Sequence, residues 1–141
     1  MAALVVAALA AVPLACGSGL TKTEFINRGD AICKRLTDES RKVTQPTSAK
    51  DIEAYLAKVL ALTETARADL AKLHPPKDGD KVHAALVAAM ADTIGTARRA
   101  KAAAGAGDMQ AVQQLLGEAG MAAIQASKPA KSYGFTDCAA S

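Results

Sequence analysis

Tryptophan is absent from this chain of 141 residues, and two Phe and two Tyr are its only aromatic side chains. A core built on stacked rings is therefore excluded, and aliphatic residues must supply most of the buried surface. A strong charge of one sign is also missing: 17 Lys and Arg against 14 Asp and Glu leave a formal net charge of +3. Acids and bases are interleaved, as on a solvated helical surface. With so few rings for base stacking, this argues against a nucleic-acid partner. Alternation of period two is lacking too, so no sheet is expected.

Recognisable chemistry is scarce. The chain has no Gly-x-Ser-x-Gly elbow, His-Glu-x-x-His helix, Cys-x-x-Cys-His haem attachment, calcium loop or Lys-Ser/Thr phosphate loop. His74 and His83 flank one turn, with Asp78 and Asp80 between them. They are the first candidate for a metal site, yet transition metals need three or four well-aimed ligands. The plainer reading is a histidine at a helix C-terminus and another on the surface of a first turn. The acids fall at caps and exposed positions rather than as a pair across a cleft. No catalytic residue, metal or cofactor is assigned, and a non-enzymatic protein is expected.

What the chain does have is alanine, the best helix former and a poor strand former, within a hydrophobic content of 50%. The length suits one modest domain. Four helical segments can be read. The first runs from about Thr23 to Val43, opened by capping-box spacing from Thr21 to Glu24. Phe25, Gly29, Ile32, Leu36 and Val43 form its stripe, with Ile26 and Cys33 on the flank, and Gln45-Pro46 stops it. The second runs from about Ala49 to His74 on a stripe of Ile52, Leu56, Val59, Leu60, Thr63, Ala66, Leu70 and Leu73, and Pro75-Pro76 ends it. The third runs from about Lys81 to Ala104 with Asp80 as N-cap, and Gly105-Ala106-Gly107 breaks it. The fourth runs from an Asp108 cap to about Lys128, where Pro129 limits continuation. Its expected apolar face is Met109, Val112, Leu115, Leu116, Ala119, Ala123 and Ile124. Similar lengths and short connections predict an all-α, antiparallel up-down-up-down four-helix bundle, expected to be monomeric. The basic clusters Lys34-Arg35, Arg41-Lys42 and Arg98-Arg99 with Lys101 read as ordinary surface or as a face toward anionic lipid or an acidic polymer.

The three cysteines speak to compartment. Residues 1–15 form an apolar run shorter than the roughly 20 residues of a membrane span, closed by a small residue before Cys16, as in a signal peptide. The sequence VPLAC resembles a bacterial lipobox, which implies a lipid on Cys16. Pro13 and the lack of a leading Lys or Arg depart from that pattern, so an ordinary signal peptide cut elsewhere stays open. The expected layout is a signal peptide over 1–15, a lipid-anchored flexible linker over 16–22 and the bundle over 23–141. The partner implied is then a membrane, reached through Cys16. Two cysteines left over in an exported protein most often pair, which would pin the tail at Cys138 onto Cys33 of the first helix. Two unpaired buried thiols are the alternative.

The blocks LTKTEFINRGDAIC, Leu20 to Cys33, and Tyr133-Gly134-Phe135-Thr136-Asp137-Cys138 are similar to both ends of a group of small exported proteins and lipoproteins of high-GC Gram-positive bacteria. The resemblance implies an envelope location on the outer face of the cytoplasmic membrane, a helical body and a Cys33–Cys138 bridge. It carries over no catalytic residue. Within those blocks Phe25 and Ile26 are expected to anchor the first helix, with Tyr133 and Phe135 sealing the bundle end. Two functions fit. One is an envelope module that binds a protein or polymer. The other is a carrier or sensor of a small apolar ligand or haem, with Met90, Met109 and Met121 lending an adaptable interior.

Overall fold

A computed structural model describes residues 19–140. The leader and Cys16 lie outside the described residues. The elements are α1 (Lys22–Lys42), α2 (Ala49–Ala71), a 3-10 turn (Lys77–Gly79), α3 (Asp80–Gly105) and α4 (Met109–Tyr133). Among the described residues there is no strand, and no helix is long and apolar enough to cross a membrane. The fold is an all-α, up-down-up-down arrangement of four helices with a disulfide from α1 to the C-terminal tail.

Local chemistry starts three of the helices where the residues ask for it. The Thr21 hydroxyl accepts the Glu24 N–H at 3.3 Å, and the Glu24 carboxylate accepts the Thr21 N–H at 2.9 Å. At α2 the Asp51 carboxylate accepts the Ser48 N–H at 3.0 Å and its hydroxyl at 2.8 Å. At α4 the Asp108 carboxylate accepts the Ala111 N–H at 3.0 Å.

Several expected boundaries shift. The helix of α2 stops at Ala71, short of His74, because Pro75 disfavours α conformation in the residue before it. The freed His74 carbonyl accepts the Leu20 N–H at 2.7 Å. Leu20 also packs against the buried cluster around Phe25, so residues 20–22 belong to the folded body rather than to a linker. Asp80 is the first residue of α3 and not its cap: Gly79 already has helical torsions, and the chain enters through the 3-10 turn. Gly105 remains helical, and the reversal falls at Gly107, with φ +78°.

The largest correction is Pro129. It does not end α4, which continues to Tyr133. The proline gives up one backbone hydrogen bond and crowds the turn before it. Burial of the following turn outweighs that loss: Ala130 is fully buried and Tyr133 joins the aromatic cluster. Gly134, at φ +121°, then reverses the chain, and the Gly134 and Phe135 N–H groups both reach the Ala130 carbonyl.

The helices are not equally paired. α3 packs extensively on α4 and on α2, α1 packs on α2, and the backbones of α1 and α4 scarcely meet. Ion pairs follow the same order: Arg35–Asp69 at 2.7 Å joins α1 to α2, Arg98–Glu64 at 2.7 Å joins α2 to α3, and Arg99–Glu118 at 3.3 Å joins α3 to α4. All are exposed, so each contributes about 0–1 kcal/mol. The basic clusters are thus largely engaged with carboxylates.

The seam between α1 and α4 is filled at one end by the tail. Phe135 is buried against Gly29, where a Cβ would lie 2.6 Å from the ring. The next residue, Asp30, accepts the N–H of Thr136 at 2.9 Å, its hydroxyl at 2.8 Å, and the Cys138 N–H at 2.9 Å. Cys33 is bonded to Cys138 across 105 residues of chain. Loop-closure reasoning gives such a link about 4–5 kcal/mol before any strain. Phe25, Val82, Leu86, Ala130 and Phe135 form one buried cluster at this end. Ile32, Cys33, Ala66 and Leu70 form the next.

The unequal pairing of the helices also corrects the expected face of α4. Val112 is buried, but Leu116 and Ile124 are 45% and 47% exposed, and Ala123 is exposed with them. Their expected partner, α1, leans on α2 instead.

Gly29→Ala should lower unfolding free energy by about 1–3 kcal/mol, since the added methyl overpacks the seat of Phe135. This should hold although Ala is favoured over Gly inside a helix by about 1 kcal/mol. The urea midpoint of the two proteins checks it.

A candidate binding cavity between the first and last helices

Beyond the tail the seam is unfilled and leaves a half-open cavity of about 220 Å³. All four helices and the tail line it: Cys33, Leu36 and Thr37 from α1, Thr63 from α2, Met90 and Thr93 among others from α3, Ala123, Ala126 and Ser127 from α4, then Asp137, Cys138 and Ala140. Its origin is local. α4 presents small side chains here, and the tail holds α1 away from them.

The wall is predominantly apolar, and three of its four hydroxyls, all but that of Thr37, are turned inward on their own helices. Thr63 donates to the Val59 carbonyl at 2.9 Å, Thr93 to the Ala89 carbonyl at 2.9 Å, and Ser127 to the Ile124 carbonyl at 2.8 Å. Such back-bonding is the usual fate of Ser and Thr within a helix. It spends the one proton that each hydroxyl has to offer. Asp137 is the single ionisable side chain among the lining residues apart from the oxidised cysteines. The cavity can therefore hold an apolar group.

The second gathering of notable side chains is the aromatic end. Phe25 meets Phe135, His83 and Tyr133 edge-on, with ring centroids 5.3, 5.8 and 6.0 Å away. Tyr133 stacks on Phe135, and the Lys22 ammonium sits 4.3 Å from the Tyr133 ring centre. His83 Nε2 lies 2.7 Å from the Leu70 carbonyl, which ties α3 to the end of α2. His83 is thus a packing residue. Among the described residues no group of three or more His, Cys, Asp or Glu converges on one point.

Sequence reasoning found Phe25, Tyr133, Phe135 and the Cys33–Cys138 link at this end, and the structure joins them. Of the three methionines expected inside, only Met90 lines the cavity, while Met121 is 60% exposed and Met109 borders a shallow depression near Ala49. Cys16 lies outside the described residues. Asp30 was missed as a functional position; its one signal is that it stands a helical turn before Cys33.

Comparison with models of protein families, with curated proteins and with solved structures found nothing that matches the chain.

The Tyr133 hydroxyl is buried beside the Asp78 carboxylate, without a hydrogen bond of good geometry. Burial, followed by the negative charges of Asp78 and Asp80, holds its phenol above the ordinary value. The unfolded chain therefore ionises first, and stability should fall as pH rises above about 10. Tyr133→Phe should remove that share of the alkaline loss. Urea midpoints of both proteins near neutrality and at alkaline pH decide it.

Proposed function

We propose that this protein is a non-enzymatic binding module of the bacterial cell envelope, held at the outer face of the cytoplasmic membrane through a lipid on Cys16, and that it takes a small apolar ligand into the α1–α4 cavity. The observation that carries the ligand reading is the cavity itself, about 220 Å³, predominantly apolar and with the hydroxyls of Thr63, Thr93 and Ser127 bonded to their own helices. Ligand sites between helices of bundles have this apolar character. The envelope reading is supported by the leader before Cys16 and by the tail disulfide, a bond that persists in oxidising compartments.

A second reading has its own observation. Leu116 and Ile124 form an exposed apolar pair on α4, which suits a module that docks an envelope protein or polymer.

Toluene distinguishes the two. A ligand that binds only the folded state at a hundred times its Kd raises stability by about 2.7 kcal/mol. Saturating toluene should raise the melting temperature of the wild-type body. It should leave Ala123→Leu unchanged, because leucine fills the mouth from an exposed helix position. Equal shifts, or none, would move the weight to the surface of α4.

The intact mass of the protein from its native membrane tests the location. A chain beginning at Cys16 with added diacylglyceryl mass, two hydrogens short, is the expected result. An unlipidated chain cut elsewhere would make this a freely secreted body.

A further inference from the structure

We propose that the α1–α4 cavity takes a free molecule of about nine non-hydrogen atoms with a neutral or cationic head and disfavours the corresponding carboxylate. The inference rests on the apolar-ligand reading above and names the chemical class of that ligand.

Size comes from volume. An engineered apolar cavity of about 150 Å³ holds benzene, with its six carbons. At the same filling, 220 Å³ takes about nine atoms. The acyl chain of a membrane lipid is roughly twice that length, which favours a free small molecule over a bilayer lipid.

Charge comes from the lining. It contributes one carboxylate, Asp137, and no Lys, Arg or His. The hydroxyls of Thr63, Thr93 and Ser127 have already given their protons to helix carbonyls. Lys34, the base whose charge is coupled to Asp137, is exposed and bonded to Asp38 at 2.6 Å. A carboxylate drawn into the cavity would lose its water and meet a like charge, with the Thr37 hydroxyl the one lining side-chain donor not already committed to a helix carbonyl. A neutral head meets neither penalty, and a cationic head would be drawn to Asp137.

The test is a titration of the wild-type body with 1-octanol, octanoate and octylammonium, followed by backbone amide NMR shifts. Octanol should bind at least tenfold more tightly than octanoate, octylammonium should bind no more weakly than octanol, and the shifts should centre on Thr93, Ala126 and Cys138. A series of 1-alkanols should gain affinity with each added carbon and stop gaining near nine. Octanoate within threefold of octanol would overturn the charge argument. Affinity still rising at twelve carbons would overturn the size argument. No binding by any of the three would overturn the apolar-ligand reading itself.

Discussion

One face of a single helical turn holds this molecule together. Gly29, Asp30 and Cys33 of α1 receive the tail in three different ways: a bare backbone for the Phe135 ring, a carboxylate for the Thr136 and Cys138 amides, and a sulfur for Cys138. Each needs the others. The ring seats only if nothing projects from position 29. The amides reach Asp30 only because Gly134 has turned the chain back. The disulfide then makes permanent a register that packing and hydrogen bonds have already selected. For an alanine-rich body with four aromatic rings, gathering three of them at this joint concentrates the little aromatic burial available.

The cavity is the other side of the same choice. Four helices of similar length would ordinarily close the α1–α4 seam directly. Here the tail enters that seam and spaces the helices apart, sealing one half and leaving the other open. Small residues on α4, Ala123, Ala126 and Ser127, keep it open. Larger residues would close it, and the unspaced pair of helices would leave no room for the tail. The disulfide is therefore both staple and wall, since Cys33 and Cys138 line the space that their joining helps to create.

Features governed by near neighbours were legible in the sequence. The capping groups at Thr21 and Asp108 act over three residues, and the structure uses both. The four helices and their alternation followed from period and connection length. What failed were local rules overridden by distant packing. Pro129 reads as a stop, but burial of Ala130 and Tyr133 carries α4 past it. Leu116 and Ile124 read as core because the pattern cannot say that α1 packs on α2 and scarcely meets α4. Asp30 looks like any surface acid midway along a helix, since its partners stand more than a hundred residues away. The cavity was illegible for the same reason: it is a space defined by where the tail lies, and no residue in it is unusual by itself.

The joining of Cys33 to Cys138 has a mechanical meaning. Both ends of the described chain emerge outside the covalent loop, at residues 19 and 140, and 105 residues of sequence separation lie within it. Tension applied between those ends passes through the first half of α1, across the sulfur bond and out by the tail. The rest of the bundle carries no load. Roughly 350 Å of contour length stays hidden from extension while that bond is intact. A protein built this way can be pulled at its ends without unravelling the loop, and only reduction releases that length.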